Sequence, residues 1–500
     1  AGMRIARSIL KNEPTADWNE ALEPHDSFYI GSDVFYSYIV QNGWWRLLME
    51  QQTPEGYFSI AKELGAKMQK GNFPDEIKEQ FQEMIEYMGQ SPIIVRSSSL
   101  LEDSFGNAFA GKYDSFFLVN QGSPKERYQA FTEAVRNIYA STMNEDALAY
   151  RLQRGLSEAE EQMALLVQRV SGTHHKQYFF PDIGGVGLSY NTYVWKSGLD
   201  PEAGMVRLVF GLGTRAVNRV EGDYPRIVAL DDPAAKPIHD MSDICRFSQH
   251  YADVLNIEAN EIQTVPTETL IEIDQSLPIK FICTRDYDTE RKITESGSPE
   301  RKIWVITFDE LLINTPFTSD IRRMMETISR TYHYPVDIEF TVNFNNQGGY
   351  RINLLQCRPH QTKGIGKRIV FPEKIDDNAI FFASEGNFLG GNTIQPLKRV
   401  IYIDPQRYSA LPLAQKYDVA RIVGRINKET GDRENLPTLL IGPGRWGTTT
   451  PSLGVPVRFA EINHTSVLVE IAIMSDNVLP ELSFGTHFFQ DLVETDIFYV

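Results

Sequence analysis

A chain of 500 residues predicts about three domains and can bury a large core without disulfide bonds. The net charge of −17 disfavours nonspecific binding to nucleic acid or to an anionic membrane, because both need a positive field, although a local basic pocket could still hold a small anion. The three cysteines lie far apart with no C-x-x-C spacing, which excludes a disulfide scaffold and disfavours zinc. This cysteine usage predicts a protein of the reducing cytoplasm, and no apolar run is long enough to span a bilayer.

Helical and strand periodicities alternate along the first part of the chain, which predicts a mixed α/β fold. In chain order the predicted elements are a helix over 74–88, a short strand at 92–95, a long helix over 124–155, a buried strand at 164–170, and strands at 184–194 and 205–210. The last of these strands leads into a glycine turn, Gly211-Leu212-Gly213.

The next part of the chain ends in a hairpin and a predicted boundary. Residues 286–302 are almost wholly polar and predict an exposed loop or the tip of an inserted hairpin. A helix is predicted over 318–332, followed by a β-hairpin over 335–359. The glycines within 361–367 indicate a domain boundary, and further strands are predicted near 399–403, 439–441 and 466–474.

The hairpin predicts a polar site on one of its faces. With a four-residue loop at 346–349, opposing residue numbers sum to 695, so Glu339 lies opposite Gln356 and Asp337 opposite Arg358. Side chains alternate between faces, so these four share one face. The other face, with Ile338, Phe340, Leu355 and Cys357, suits a core.

Carboxylate and amide oxygens side by side are ligands that Mg²⁺ takes together with water and substrate phosphates. An arginine beside them suits phosphate oxygens, which a guanidinium can bind through two hydrogen bonds. The alternative is a surface hairpin whose polar cross-strand pairs contribute only a few tenths of a kcal/mol each.

A second polar motif follows the strand predicted at 92–95. Arg96 at the strand end, with Ser97 and Ser98 after it, offers a charge and hydroxyl donors to a polyphosphate. A turn or a helix cap is the alternative interpretation of such serines.

Four segments in the same order resemble the nucleotide-binding portion of the phosphoenolpyruvate synthase and pyruvate, phosphate dikinase family, which has an ATP-grasp fold. They are the arginine–serine loop (VRSS at 95–98, ED at 102–103 and FAG at 109–111), the strand at 167–170, the glycine turn at 211–213, and the hairpin with DIE at 337–339 and LQCRP at 355–359. The resemblance covers about residues 1–362.

The resemblance implies a role for each matching residue. Glu339 and Gln356 would hold Mg²⁺, with Asp337 as a carboxylate either on the metal side or behind the metal ligands. Arg96 and Arg358 would grip the ATP phosphates as catalytic residues, with Ser97 and Ser98 beside them. The adenine would contact Gln168, Arg169 and Val170, mainly through their backbone, and Gly211 and Gly213 would form the family's glycine turn.

The chain departs from the family in three ways. The family's Gly-Gly-Lys turn, whose lysine reaches the phosphates, would precede Gly2 and is not in this sequence. We find no phosphohistidine motif of the Gly-Gly-x-Thr-x-His type, and 363–500 is too short for the family's barrel domain. The phosphoryl acceptor therefore stays open between a histidine on another polypeptide or segment, a small molecule, and a partner protein.

The C-terminal region gives weaker signals. In the run GPGRWGT at 442–448, Arg445 and the threonines from Thr448 could bind an anion, or the run could be a tight turn with Trp446 in a core. His487 could accept a phosphate or act as a general base, or it could be a core histidine. His174 and His175 lack the spacing of a metal site and predict a solvated turn.

Together these observations predict an ATP-grasp module in two lobes followed by a smaller mixed domain. We expect the N-terminal part over 1–230, the remainder of the module over 231–362, and a C-terminal α/β domain of unknown role over 363–500. The favoured function is an ATP- and Mg²⁺-dependent phosphotransferase. The rival is a regulatory protein that binds ATP or ADP without phosphoryl transfer. The sequence leaves the oligomeric state open.

Overall fold

A computed structural model gives the fold as mixed α/β, as predicted. It describes residues 2–14, 18–24, 26–102, 113–153, 155–191, 193–194, 198–217, 223–236, 241–299, 301–345, 347–360, 370, 372, 375–383, 388–389, 394–431, 433, 435–448, 451–471, 492 and 497–500. The chain divides into two compact units, the first formed by 1–189 and 205–360, and the second by 190–204 and 361–500. No helix in these described ranges combines the length and the hydropathy that crossing a membrane requires.

The helices of the first unit are α1 (Gly2–Lys11), α2 (Trp18–Ala21), α3 (Ser32–Gln41), α4 (Trp45–Gln51), α5 (Ser59–Met68), α6 (Asp75–Met88), α7 (Pro124–Ser141), α8 (Glu145–Gln153), α9 (Thr214–Val217), α10 (Met241–Arg246), α11 (Thr267–Ile273), α12 (Ile279–Ile282), α13 (Tyr287–Glu295), α14 (Asp309–Asn314) and α15 (Phe317–Tyr332). The helix predicted over 124–155 is in fact two, because the chain turns at 142–144 between α7 and α8. The predicted loop at 286–302 is also wrong, since Asp286 caps α13 by accepting a hydrogen bond from the amide of Thr289.

The strands, in chain order, are β1 (Ser27–Ile30), β2 (Ile93–Ser99), β3 (Ser115–Leu118), β4 (Met163–Arg169), β5 (Thr173–His175), β6 (Tyr178–Phe180), β7 (Ile183–Leu188), β8 (Tyr193–Val194), β9 (Met205–Val209), β10 (Arg226–Ala229), β11 (Tyr251–Asn256), β12 (Glu261–Pro266), β13 (Cys283–Arg285), β14 (Trp304–Ile306), β15 (Val336–Phe344) and β16 (Tyr350–Pro359). In the first unit they form sheets in the orders β1-β4-β2-β3, β10-β9-β7-β15-β16, β12-β11-β6-β5 and β13-β14.

Two apolar cores hold these sheets in place. In one core, helices α6 and α7 pack on a face of the sheet that contains β2 and β4. Helix α6 buries four residues at helical spacing, Phe81, Met84, Ile85 and Met88, as the periodicity predicts. In the other core, α1 and α15 pack on one face of the β10-β9-β7-β15-β16 sheet. The opposite face of that sheet carries the polar side chains of β15 and β16.

The second unit contains a mixed six-stranded sheet together with two α-helices. Its elements are β8, β17 (Phe388–Leu389), β18 (Arg399–Tyr402), α16 (Pro405–Ser409), α17 (Leu413–Thr430), β19 (Thr438–Pro443), β20 (Arg445–Trp446), β21 (Gly454–Val455), β22 (Val467–Ile471) and β23 (Phe498–Tyr499). In the order β18-β19-β22-β23-β17-β8, the first four strands run parallel to one another, whereas β17 runs antiparallel to both β23 and β8. Trp446 is fully buried, and its indole Nε1 donates to the carbonyl of Val469 at 3.1 Å. Trp446, which lies in β20, therefore packs in a core.

Candidate functional site

The hairpin of β15 and β16 places the predicted residues opposite one another. Glu339 pairs with Gln356 and Asp337 pairs with Arg358, as predicted. The route to this register differs from the prediction. The ladder closes at Phe344 and Tyr350, so the loop has one residue more than predicted, and a β-bulge beside Glu339 then restores the register.

The bulge decides which side chains reach the site. Phe340 pairs with Leu354, so Leu355 is the extra residue. The prediction that Leu355 faces the core is wrong, because Leu354 is the fully buried one. In a regular hairpin closed at the same loop, Gln356 would lie opposite Ile338 and would point into the core.

Arg96 reaches the hairpin from the other sheet. Its Nη2 donates to Oε2 of Glu339 at 2.6 Å, and it also donates to Oε1 of Gln356. One cationic nitrogen therefore lies between the carboxylate and the amide oxygen. The side chains of Arg96 and Glu339 are 16% and 19% exposed, so the pair is only partly screened by water.

Asp337 and Arg358 form a second pair beside the first. The Nε and Nη2 atoms of Arg358 both donate to Oδ2 of Asp337, at 2.9 and 2.7 Å. Asp337 therefore pairs with Arg358, whereas Glu339 and Gln356 both accept hydrogen bonds from Arg96.

A third arginine belongs to the same face, and the sequence analysis missed it. Arg207 of β9 lies opposite Val186 of β7, which in turn lies opposite Glu339. Arg207 is 5% exposed, and burial lowers its pKa against the opposing influence of Asp337. The three guanidinium groups of Arg96, Arg207 and Arg358 outnumber the carboxylates of Asp337 and Glu339, so these residues together attract an anion.

His360 follows the hairpin and lies in the same electrostatic environment. Its amide donates to the carbonyl of Pro335 at 2.7 Å, and its side chain is 8% exposed. Burial lowers the pKa of His360 to about 4, with Arg358 and Arg207 acting in the same direction and Asp337 against them. The imidazole is therefore neutral at pH 7.

The serines after Arg96 do not form the predicted loop. Residues 96–99 continue β2 because they pair with residues 163–166 of β4, and alternation then separates neighbouring side chains. Ser98 shares the face of Arg96, whereas Ser97 lies on the other face and donates to Oε1 of Glu102 at 2.9 Å. The rest of the predicted motif, 103 and 109–111, lies outside the described residues.

The strand predicted to contact adenine lies beside Arg96. Gln168 of β4 is buried, and its Nε2 donates to the carbonyl of Leu355 at 3.4 Å, which links β4 to the bulge. Arg169 points to the other face, where it forms an ion pair with Asp26. The amides of Arg169 and Val170 donate to the carbonyls of Asp26 and Pro92, so these two amides are already engaged.

The glycine turn lies on the site face of the five-stranded sheet. Gly211 and Gly213 have φ values of 97° and 88°, which favour glycine. A Cβ atom on Gly184 of β7 would lie 2.2 Å from the Cα of Gly213, so only glycine allows this approach. Gly184 is two residues from Val186, so the turn packs close to the row that carries Arg207 and Glu339.

Several other predicted residues lie elsewhere. His175 is wrongly predicted as solvated: it is buried in β5, and its Nδ1 forms a hydrogen bond of 2.8 Å with Oδ2 of Asp274. Only the fold brings that aspartate near, because it is 99 positions away. Arg445 is fully buried in the second unit. His487, Thr449 and Thr450 lie outside the described residues.

The oxygens of Glu339 and Gln356 fit a magnesium ion. They already converge on one positive nitrogen, and carboxylate and amide oxygens are the ligands that Mg²⁺ takes. Within the described ranges, no group of three or more His, Cys, Asp or Glu side chains could hold a metal. The two side chains would therefore need oxygens from a phosphate or from water to complete the site.

Comparison with known proteins agrees with the family resemblance. Residues 11–377 match the family described as pyruvate phosphate dikinase, AMP/ATP-binding domain. Over 278 residues the chain is 22% identical to the phosphoenolpyruvate synthase of Escherichia coli (strain K12). That match covers 55% of this chain and 28% of the length of the relative. All the residues of the site described above fall within the matched range.

Proposed function

This chain belongs to the pyruvate phosphate dikinase family through its AMP/ATP-binding domain, and we propose that it is an ATP- and Mg²⁺-dependent phosphotransferase of the ATP-grasp type. The observation that carries the proposal is the convergence of Glu339 and Gln356 on the guanidinium of Arg96. Arg96 belongs to one sheet, and Glu339 and Gln356 belong to another. The strands that carry them lie far apart in the sequence.

In this proposal one group of residues binds the metal and the phosphates of the nucleotide. Glu339 and Gln356 would hold Mg²⁺, and the metal would supply positive charge that offsets the charge on the transferring phosphoryl group. Arg96 would then donate to the phosphates in place of these two oxygens, with Ser98 on the same face of β2. Arg358 binds phosphate oxygens while Asp337 orients its guanidinium from behind.

The remaining predicted residues would bind the other end of the nucleotide. Gln168 and Val170 would contact the adenine. Because the amide of Val170 already donates to the carbonyl of Pro92, the adenine would contact the backbone through carbonyl oxygens. The turn of Gly211 and Gly213 would let the backbone approach the ligand. The side chains of Ser97 and Arg169 lie on the opposite faces of β2 and β4, so in this proposal they would support the site from behind.

The acceptor and the location are parts of the same proposal. We infer that the phosphoryl group passes to a histidine on another segment or partner protein, to a small molecule, or to another exposed group of a partner.

Support for a cytoplasmic location comes from the three cysteines, which form no disulfide.

Labelled ATP tests the proposal. We would incubate the full chain with Mg²⁺ and ATP labelled at the β or the γ position, with candidate acceptors present, and assay AMP, ADP and labelled protein. Label transfer or nucleotide turnover is the expected result. Tight ATP binding without turnover would overturn the enzyme assignment in favour of a nucleotide-binding regulator.

Two substitutions test the site itself. Glu339→Ala and Arg96→Ala should each weaken Mg-ATP binding at least about tenfold, since each removes a charge-assisted contact. Glu326→Gln, at an exposed i,i+4 ion pair on α15, is the control and should bind as the parent does. Unchanged Mg-ATP binding by either site variant would show that the site is assigned wrongly.

A further inference from the structure

Arg207 is a buried cation that the described residues leave without a hydrogen bond or an ion pair. Its two carboxylate neighbours are engaged elsewhere, because Asp337 pairs with Arg358 and Glu339 pairs with Arg96. Burying a charged group without a partner is costly, and the cost falls when a ligand supplies the partner. Arg207 is also more buried than Arg96, which places it deeper in the site.

His360 gives a second, independent indication at the same place. Its Nε2 is buried and has no hydrogen-bond partner among the described residues. The charges that act on the imidazole are those of Asp337, Arg358 and Arg207, so it lies close to the same three groups. Two polar side chains, each more than nine-tenths buried, thus lack partners at one point of the sheet face.

We propose that Arg207, together with Arg358 and His360, forms a deep subsite for a phosphoryl group. A phosphoryl group has three oxygens and up to two negative charges, which suits two guanidinium groups and one neutral imidazole N–H. The source is either the terminal phosphate of the nucleotide or free inorganic phosphate. The inference rests on the proposed function, because it extends the same site inward.

The position of Arg207 supports this assignment over a role in packing. Arg207 extends from the face that carries Glu339 and the glycine turn, whereas the apolar core lies on the opposite face. Its neighbour Arg226 on β10 provides a contrast. Arg226 lies opposite Leu208, on the core face, where its Nη1 donates to the carbonyl of Ile227 at 2.9 Å, although its Nε and Nη2 are buried without a hydrogen-bond partner among the described residues. The two arginines therefore differ in the face they occupy.

The test measures binding of ATP, AMP and inorganic phosphate to the full chain by calorimetry. Arg207→Met should weaken ATP binding by about tenfold to a hundredfold, the loss typical of a charge-assisted contact, and should leave AMP within about twofold. Arg207→Lys should recover part of that loss because it restores the charge. The control Arg226→Met removes a neighbouring arginine from the other face and should leave all three ligands unaffected.

The phosphate titration separates the two sources. If the parent binds inorganic phosphate and Arg207→Met abolishes that binding, the subsite takes free phosphate. If only ATP binding falls, the subsite takes the terminal phosphate of the nucleotide. Equal losses for ATP and AMP, or no loss for either, would overturn the inference.

His360 provides a second variant in case Arg207→Met folds poorly. His360→Ala should weaken the same ligand as Arg207→Met, and His360→Gln, which keeps an N–H donor, should recover part of the affinity. A His360→Ala variant that bound ATP and phosphate as the parent does would also contradict the subsite. Failure of the parent to bind ATP would instead count against the proposed function.

Discussion

Nη2 of Arg96 lies 2.6 Å from Oε2 of Glu339, although 243 positions separate the two residues in the chain. The same nitrogen also donates to the amide oxygen of Gln356. A guanidinium therefore occupies the point where, under the proposed function, a magnesium ion would bind. Under that function, Arg96 and the metal would compete for the same oxygens until a nucleotide gave Arg96 another partner.

This competition predicts opposite effects on two ligands. Arg96→Ala should tighten the binding of Mn²⁺ or Mg²⁺ in the absence of nucleotide, by roughly fivefold if the partly exposed pair contributes about 1 kcal/mol. The same variant should weaken ATP binding. Calorimetric titration with the metal alone measures the first effect. Arg322→Ala is the control, because Arg322 forms an exposed i,i+4 ion pair with Glu326 on α15, outside the site. Weaker metal binding by Arg96→Ala would show that the two cations do not share these oxygens.

The Arg358–Asp337 pair predicts a loss of stability that a second substitution relieves. Their side chains are 11% and 6% exposed, so removing the carboxylate takes away the buried acceptor that Nε and Nη2 of Arg358 share. Asp337→Ala should lower the free energy of unfolding by about 3–5 kcal/mol. The double variant Asp337→Ala with Arg358→Met should be more stable than Asp337→Ala alone. Chemical denaturation of the full chain measures both, and losses that simply add would argue against a direct interaction.

Gly184 predicts a coupling between the sheet and the glycine turn. In Gly184→Ala the new Cβ would overlap backbone atoms of Gly213, at 2.2 Å from Cα and 2.6 Å from N, so the turn must move. We expect a loss of about 1–3 kcal/mol in stability together with weaker ATP binding. Gly187→Ala is the control on the same strand, because the nearest atoms to its Cβ belong to side chains on the core face, Sδ of Met325 at 2.9 Å and Cγ1 of Ile338 at 3.0 Å, and not to the glycine turn. That variant should bind ATP as the parent does.

Asp182 predicts a pH dependence of stability. Burial raises the pKa of Asp182 to about 6, against a hydrogen bond from the amide of Phe344, which lowers it. An unfolded aspartate has a pKa of about 3.9, so the folded protein binds more protons between about pH 4 and pH 6. Stability from this group therefore falls as the pH rises through that range.

Asp182→Asn removes the charge and keeps an oxygen that accepts from Phe344. The variant should be more stable than the parent by about 2 kcal/mol above pH 6.5 and should lose that advantage near pH 4. Denaturant unfolding at the two pH values measures the difference. An advantage of equal size at both would contradict the titration of Asp182.

Local patterns in the sequence were enough to predict those helices and strands whose apolar residues recur at a clear helical or strand spacing. Helix α6 and the pairing of Glu339 with Gln356 followed from apolar spacing and from strand alternation. The predicted register was correct at the site although the loop was one residue too short, because the bulge at Leu355 compensates. Nothing in a strand pattern indicates a bulge, since it depends on how the strand packs against its neighbours.

The sequence by itself determined the family, the α/β class and the polar face of the hairpin, because these depend on short runs of residues and their spacing. Only the tertiary structure decided that Arg96 lies in a strand and reaches Glu339, and that Arg207 shares the face of the site. These residues belong to strands distant in the chain, and no local period relates them. Their proximity follows from the order of strands in the sheets and from the packing of those sheets, which the whole chain decides together.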